Sequence, residues 1–324
     1  MKDLIYFPYF EPRNEKWLKF ALLYIDEFRP IIPYNRREDI SGLYRQIQDE
    51  TDLIVPYSPD YAEGSTASKN AIKEIELLLS QQSTGYLFSG KNIAQQARNE
   101  QDYLIYREKF SHEFENFCID NELARKHDDG LYVSEEIAYI FMSGLAQEIS
   151  YKTNSSIISD SAQFTNYANS KRVFNQSQQK KMSLAESIIE LKLPQNIDDI
   201  EFRKLIEFRN ANKSLIENFN RELQKIENGD INTMNSYGFL QNYNEIYSEL
   251  TNKIVLLGIS SALIFSFSVY KLFQNNDAIT LEDTKEILGG ISGLSGMYYS
   301  VKDVLTNIKE KRATVKYLAN LQKI

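Results

Sequence analysis

The 324-residue chain has one cysteine and two histidines. Cys118 alone cannot form an intramolecular disulfide, and thiolate metal sites are excluded. With His112 and His127 as the whole histidine complement, a multi-histidine metal centre is excluded as well. A reducing cytoplasm is the compartment this usage predicts. Basic residues are outnumbered, 37 Lys and Arg against 45 Asp and Glu, a net charge of −8 with no long basic run. Nucleic acid is therefore not an expected partner, since affinity for phosphate backbones is built from clustered Lys and Arg. The opening Met1-Lys2-Asp3-Leu4 lacks the charged head and apolar centre of a secretory signal. Proline is nearly absent after residue 59, where Pro194 stands alone.

What is present is a composition of 42% apolar and 25% charged residues, that of a folded protein with a sizeable core. The first 57 residues repeat a short phrase three times: Phe7-Pro8-Tyr9, Ile32-Pro33-Tyr34 and Val55-Pro56-Tyr57. Each follows a β-branched or aromatic run, and proline cannot continue a ladder in mid-sheet. Each copy therefore marks the carboxyl end of a strand. Between the first two, Asn14 caps a helix whose Trp17, Phe20, Ala21 and Tyr24 share one face. A shorter helix is predicted over Asp39 to Asp49. Strand–helix–strand units of this length imply parallel strands and right-handed crossovers.

Further helices are predicted across Lys69 to Gln81, Asn92 to Asn121 and Ser134 to Ser150. Ile157-Ile158 reads as a fourth strand ending in Asp160, and Ile188 to Pro194 alternates as a fifth. From Asp198 the pattern becomes helical, with Leu205, Phe208, Leu215, Phe219 and Ile226 on one stripe. The fold expected is α/β: a parallel α/β domain over 1–196, then an all-helical bundle over 197–324 with a buried apolar hairpin.

That hairpin comes from two runs without charge, Ile254 to Tyr270 and Ile287 to Val301. The first just reaches the roughly 17 residues a membrane span needs, and the second falls short. Enclosure in the helical half is the favoured reading, and insertion of 254–301 into a membrane is the alternative.

In open parallel sheets ligands lie beyond the carboxyl ends of the strands. Tyr9, Arg13, Tyr34, Arg36, Tyr57 and Asp160 are the residues this rule selects, a set suited to an anionic or aromatic ligand through stacking and guanidinium bonds. The competing reading is that the tyrosines merely cover the rim, since no glycine-rich phosphate loop follows these strands. Asp160 reads as a cap of the segment after it, and a two-carboxylate metal site with Asp26 or Asp52 is disfavoured because those precede their strands. His127-Asp128-Asp129-Gly130 reads as a turn, and Cys118 as a packing residue out of reach of His112.

The stretch Phe7-Pro8-Tyr9, Trp17-Leu18-Lys19-Phe20-Ala21-Leu22-Leu23-Tyr24-Ile25-Asp26 and Ile31-Ile32-Pro33 resembles the opening of a bacterial family of unknown activity. Leu191-Lys192-Leu193-Pro194 with Ile206-Glu207-Phe208-Arg209, and the closing Tyr317-Leu318, resemble its central and final segments. Ile25 stands where that family often has tryptophan. The resemblance implies a cytoplasmic bacterial protein, brings no catalytic residue to carry over, and suggests a place near anti-phage loci. The expectation is a non-enzymatic binding or sensing component, with a protein partner or a second copy, room for a small-molecule ligand, and no cofactor. A hydrolase of phosphorylated or nucleotide substrates is the other alternative, weakened by the lack of a convergent acid–base pair.

Overall fold

A computed structural model of the chain describes residues 3–80, 101–161, 182–227, 236–258 and 262–274. Three short strands, β1 (Leu4–Tyr6), β2 (Phe28–Pro30) and β6 (Ser156–Ile158), run parallel with β1 in the middle. Residues 53–57 run alongside β2, bridged in parallel at Phe28–Ile54 and Ile31–Tyr57. The proline punctuation thus marks neighbouring strands of one sheet. The second strand ends on Pro30, immediately before the apolar pair Ile31-Ile32 that is expected to form it.

Beyond β6 the sheet changes direction. β8 (Ala262–Gln274) is antiparallel to β6 and to β7 (Met182–Pro194), giving the order β2-β1-β6-β8-β7. The sheet is therefore mixed, and the second half of the chain is not all helical. Residues 262–270, expected in the first arm of a helical hairpin, form a strand. A run without charge fits either period, and here Leu263 and Phe265 turn toward the core while Ile264 and Ser266 are exposed. The second arm of that hairpin, 287–301, lies outside the described residues. Among the described residues no helix is long and apolar enough to cross a membrane.

Successive side chains of a strand point to opposite faces, and along the three parallel strands both faces are covered. Leu4, Tyr6, Phe28 and Ile158 pack beneath α1 (Glu15–Tyr24) and α2 (Gly42–Glu50). Outside α1 lie α6 (Phe202–Ala211), α7 (Lys213–Glu227) and α8 (Ser236–Val255), with Phe219 between Tyr24 and Tyr247. Residues on both sides of position 196 thus share this core. Enclosure explains why α1 is buried along its whole length from Trp17 to Tyr24, with the Lys19 ammonium donating to the carbonyls of Ile197 and Asp198.

Ile5 and Ile157 face the other way, onto α3 (Tyr61–Ser80), α4 (His112–Asp120) and α5 (Glu135–Thr153). Where one long helix is predicted over 92–121, the described part is strand β3 (Tyr103–Tyr106), a 3₁₀ turn and then α4. Ser111 caps α4 by accepting from the Phe114 amide. β3 joins a small antiparallel sheet in the order β3-β5-β4 with β4 (Ala124–His127) and β5 (Gly130–Val133). The predicted turn at His127 to Gly130 links β4 to β5.

Capping residues set the helix starts. Asn14, Ser41 and Ser134 each accept from the amide three residues on. Asp60 and Glu63 form a reciprocal capping box at α3, and Asn154 in the left-handed conformation ends α5.

Candidate functional site at the strand tips

From β1 the chain winds through α1 to β2 on one side, while α5 delivers β6 to the other. Strand order reverses between β1 and β6, and the crevice outside such a switch point is where open α/β sheets bind ligands. The loop after β1, residues 7–14, and residues 159–161 after β6 form its rim.

Asp160 braces this rim. Its Oδ1 accepts the Tyr6 hydroxyl at 2.6 Å, and its Oδ2 accepts the Asn14 amide at 2.9 Å, at the N-terminus of α1. A carboxylate there is favoured by the helix dipole and by two donated hydrogen bonds. Asp160 thus holds the start of α1 from the neighbouring strand, while the segment it is expected to cap lies, beyond Ser161, outside the described residues. Burial first, and then the Asp160 charge, raise the Tyr6 hydroxyl well above its ordinary pKa, so it remains a donor. Glu11 does the same at α2, accepting both the amide and the hydroxyl of Ser41. The Tyr44 hydroxyl and the Trp17 indole nitrogen are buried close by, with no hydrogen-bond partner among the described residues.

A second group converges beside it. The Tyr9 hydroxyl donates to Glu135 at 3.3 Å and lies 3.5 Å from the Tyr139 hydroxyl, which is 3.0 Å from Ser161. The Arg13 guanidinium sits 3.5 Å over the Tyr9 ring and 4.0 Å from Glu135, with its side chain 66% exposed. On the other side the Tyr103 ring packs 5.5 Å from Tyr9, its hydroxyl donating to the Pro8 carbonyl at 2.5 Å. Burial, then the Tyr139 hydroxyl, lift the Tyr9 pKa far above its ordinary value. A cation, a carboxylate and neutral phenols therefore meet at one edge, offering both donors and acceptors.

Of the residues selected from the sequence, Tyr9, Arg13 and Asp160 meet here, linked through Asn14, Tyr139 and Ser161. The other three take separate places. Tyr34 is 79% exposed, with Arg37 5.1 Å over its ring. Arg36 binds Asp129 in the β4–β5 turn, pairs with Asp39 at 3.3 Å and stacks over Tyr106. Tyr57 turns toward α3 and α5, donating to Glu63, which Lys152 contacts at 3.0 Å.

Glu135, Tyr139, Tyr103 and Ser161 were not selected from the sequence. One signal could have found the first two: a crossover helix leading into a parallel strand begins on the strand-tip side, so its first turn faces the rim. Asp52, set apart in the sequence reading, lies with Asp26 around Arg209, away from this rim. Among the described residues no group of three or more His, Cys, Asp or Glu is arranged to hold a metal. Cys118 is fully buried, its thiol pushed up to about 12 by burial, consistent with a packing role.

No protein-family model, curated protein or solved structure matches the chain.

Proposed function

We propose that the protein is a non-enzymatic binding component that recognises a ligand or partner at the rim formed by the ends of β1 and β6. One observation carries this reading: three separate segments bring Tyr9 with Arg13, Tyr103, and Glu135 with Tyr139 to the switch point. There an exposed cation, a carboxylate and aromatic rings stay within reach of solvent. The Tyr9 ring already carries a guanidinium, so a flat or anionic group on the ligand has both a ring edge and a cation to meet. The place of this component in bacterial defence against phage is part of the same proposal and rests on the family resemblance.

Native mass spectrometry of the purified protein for a co-purifying molecule or partner tests it. Tyr9→Ala and Arg13→Ala are expected to lose the bound species while keeping the wild-type melting temperature within a few degrees. Retention of the species by both folded variants would remove the rim from consideration. The hydrolase alternative gains little support, because both Asp160 oxygens already accept hydrogen bonds that hold the fold.

A further inference from the structure

Lys109 ends the 3₁₀ turn Arg107–Lys109 that follows β3, and it is 2% exposed. Lysine is almost never buried so far without a charged partner. Among the described residues its Nζ pairs with no carboxylate. It reaches the Met142 thioether at 4.0 Å, a weak acceptor, and the face of the Phe10 ring at 4.8 Å. The elements packed here bring Phe10 from the rim loop, Met142 from α5, and Gly64 and Ser68 from α3, none of them charged. The neighbouring Glu108 is exposed and accepts from Asn35.

The amine is held from behind. A Cβ on Gly64 would come within 2.7 Å of the Lys109 carbonyl oxygen, so glycine is what lets the turn lie flat on α3. Ser68 accepts the Ser111 amide at 2.9 Å and donates to the Gly64 carbonyl, clamping the same turn. The side chain therefore runs to the rim loop and ends under Phe10. Phe10 is half-buried, adjacent to Tyr9, and stacked on Tyr106 with centroids 5.0 Å apart. Burial pushes the amine down to about 7, with Glu108 opposing the shift.

We propose that Lys109 is the anion-binding group of the strand-tip rim, pairing with a carboxylate or phosphate of a small ligand when the Phe10 ring moves off it. This rests on the binding function proposed for the rim and names the chemistry it selects. An arriving anion compensates the buried ammonium, so binding draws a proton onto an amine that is largely neutral above pH 7.

The test is isothermal titration calorimetry of the full chain at pH 8 with benzoate and with inorganic phosphate, in buffers of different ionisation enthalpy. At least one probe is expected to bind with uptake approaching one proton, and Lys109→Met is expected to weaken it at least tenfold and abolish the uptake. Binding without proton uptake, binding unchanged in the variant, or no binding of either probe would overturn the assignment. Should Lys109→Met not fold, the wild-type lysine ε-signals followed by NMR decide. One of them is expected to titrate near neutrality and to move upward with the anion; titration of all of them at the ordinary lysine value sinks the idea. A rim ligand held equally well by folded Lys109→Met overturns this inference and leaves the rim reading standing. Retention by the Tyr9 and Arg13 variants removes both.

Discussion

Arg209 and Asp52, 157 residues apart, are joined by two hydrogen bonds to the same carboxylate oxygen, from Nε at 3.1 Å and from the terminal nitrogen at 2.9 Å. The guanidinium is 2% exposed and also donates to the carbonyls of Leu22, Ile25 and Asp26. It ties α6 to the end of α1 and to the chain run beside β2. Arginine suits the task because its planar fork serves several acceptors while keeping its charge.

Arg209→Met should therefore be among the most damaging substitutions in the protein. It removes five donors and leaves buried carbonyls unpaired, at a cost of about 3 kcal/mol or more. Asp52→Asn keeps an acceptor and should cost about 1 kcal/mol. Urea unfolding of the two variants checks the order, and equal effects would contradict it.

Acid should weaken the same contact. Partial burial pushes the Asp52 carboxyl up, but Lys213 and Arg209 outweigh it and hold its pKa below the ordinary value. The unfolded chain then takes up the proton first. The contribution is full above the ordinary carboxylate value of about 4 and is lost as the pH falls below it toward the folded value. A stability profile between pH 6 and pH 2 should be flatter for Asp52→Asn than for the wild type.

Asp160→Asn should separate bracing from chemistry. Asparagine can still accept the Tyr6 hydroxyl but brings no charge to the N-terminus of α1, a loss of about 1 kcal/mol. Asp160→Ala loses both bonds and should cost about 2 kcal/mol. If Asp160→Asn abolished biological activity without moving the melting temperature, the residue would be more than a brace.

Lys109 carries a dependence of the same sign in a higher pH window. Its folded value is near 7 against an ordinary 10.5, so between these pH values the unfolded chain holds a proton that the folded one lacks. Stability from this residue therefore rises with pH across that window, and below it the full penalty of burying the ammonium is felt. Lys109→Met should be stabilised over the wild type by roughly 2 kcal/mol or more at pH 6, with the gap closing toward pH 10. Parallel denaturation curves at the two pH values check this.

The local rules of the first 60 residues were readable because each is carried by neighbours in sequence. Asn14 three residues before the Trp17 amide, and proline after each β-branched run, are patterns a short window contains. What joins the pieces is not in any window. The hold of Asp160 on Asn14 spans 146 residues, and the place of Tyr57 beside Glu63 depends on where α3 leaves the sheet. Sequence position places Arg36 with Tyr9, each after a proline, yet its charge is taken by Asp129, whose turn lies on a different sheet. The 262–270 segment is ambiguous in sequence because of its length. Phe265, Ser266, Phe267 and Ser268 alternate as a strand does, but a long stretch without charge fits the helix period as well.

The pairing of Ser156 to Ile158 with Val269 to Lys271 sets an order on the molecule's birth. On a ribosome, β6 emerges more than 100 residues before its outer neighbour, and until then one flank offers bare amides and carbonyls to any extended chain nearby. A product cut short before residue 262 would keep that flank open for good. Such a fragment is expected to clump rather than persist as a smaller working protein, and sedimentation of a 1–258 truncation against the full chain would register it.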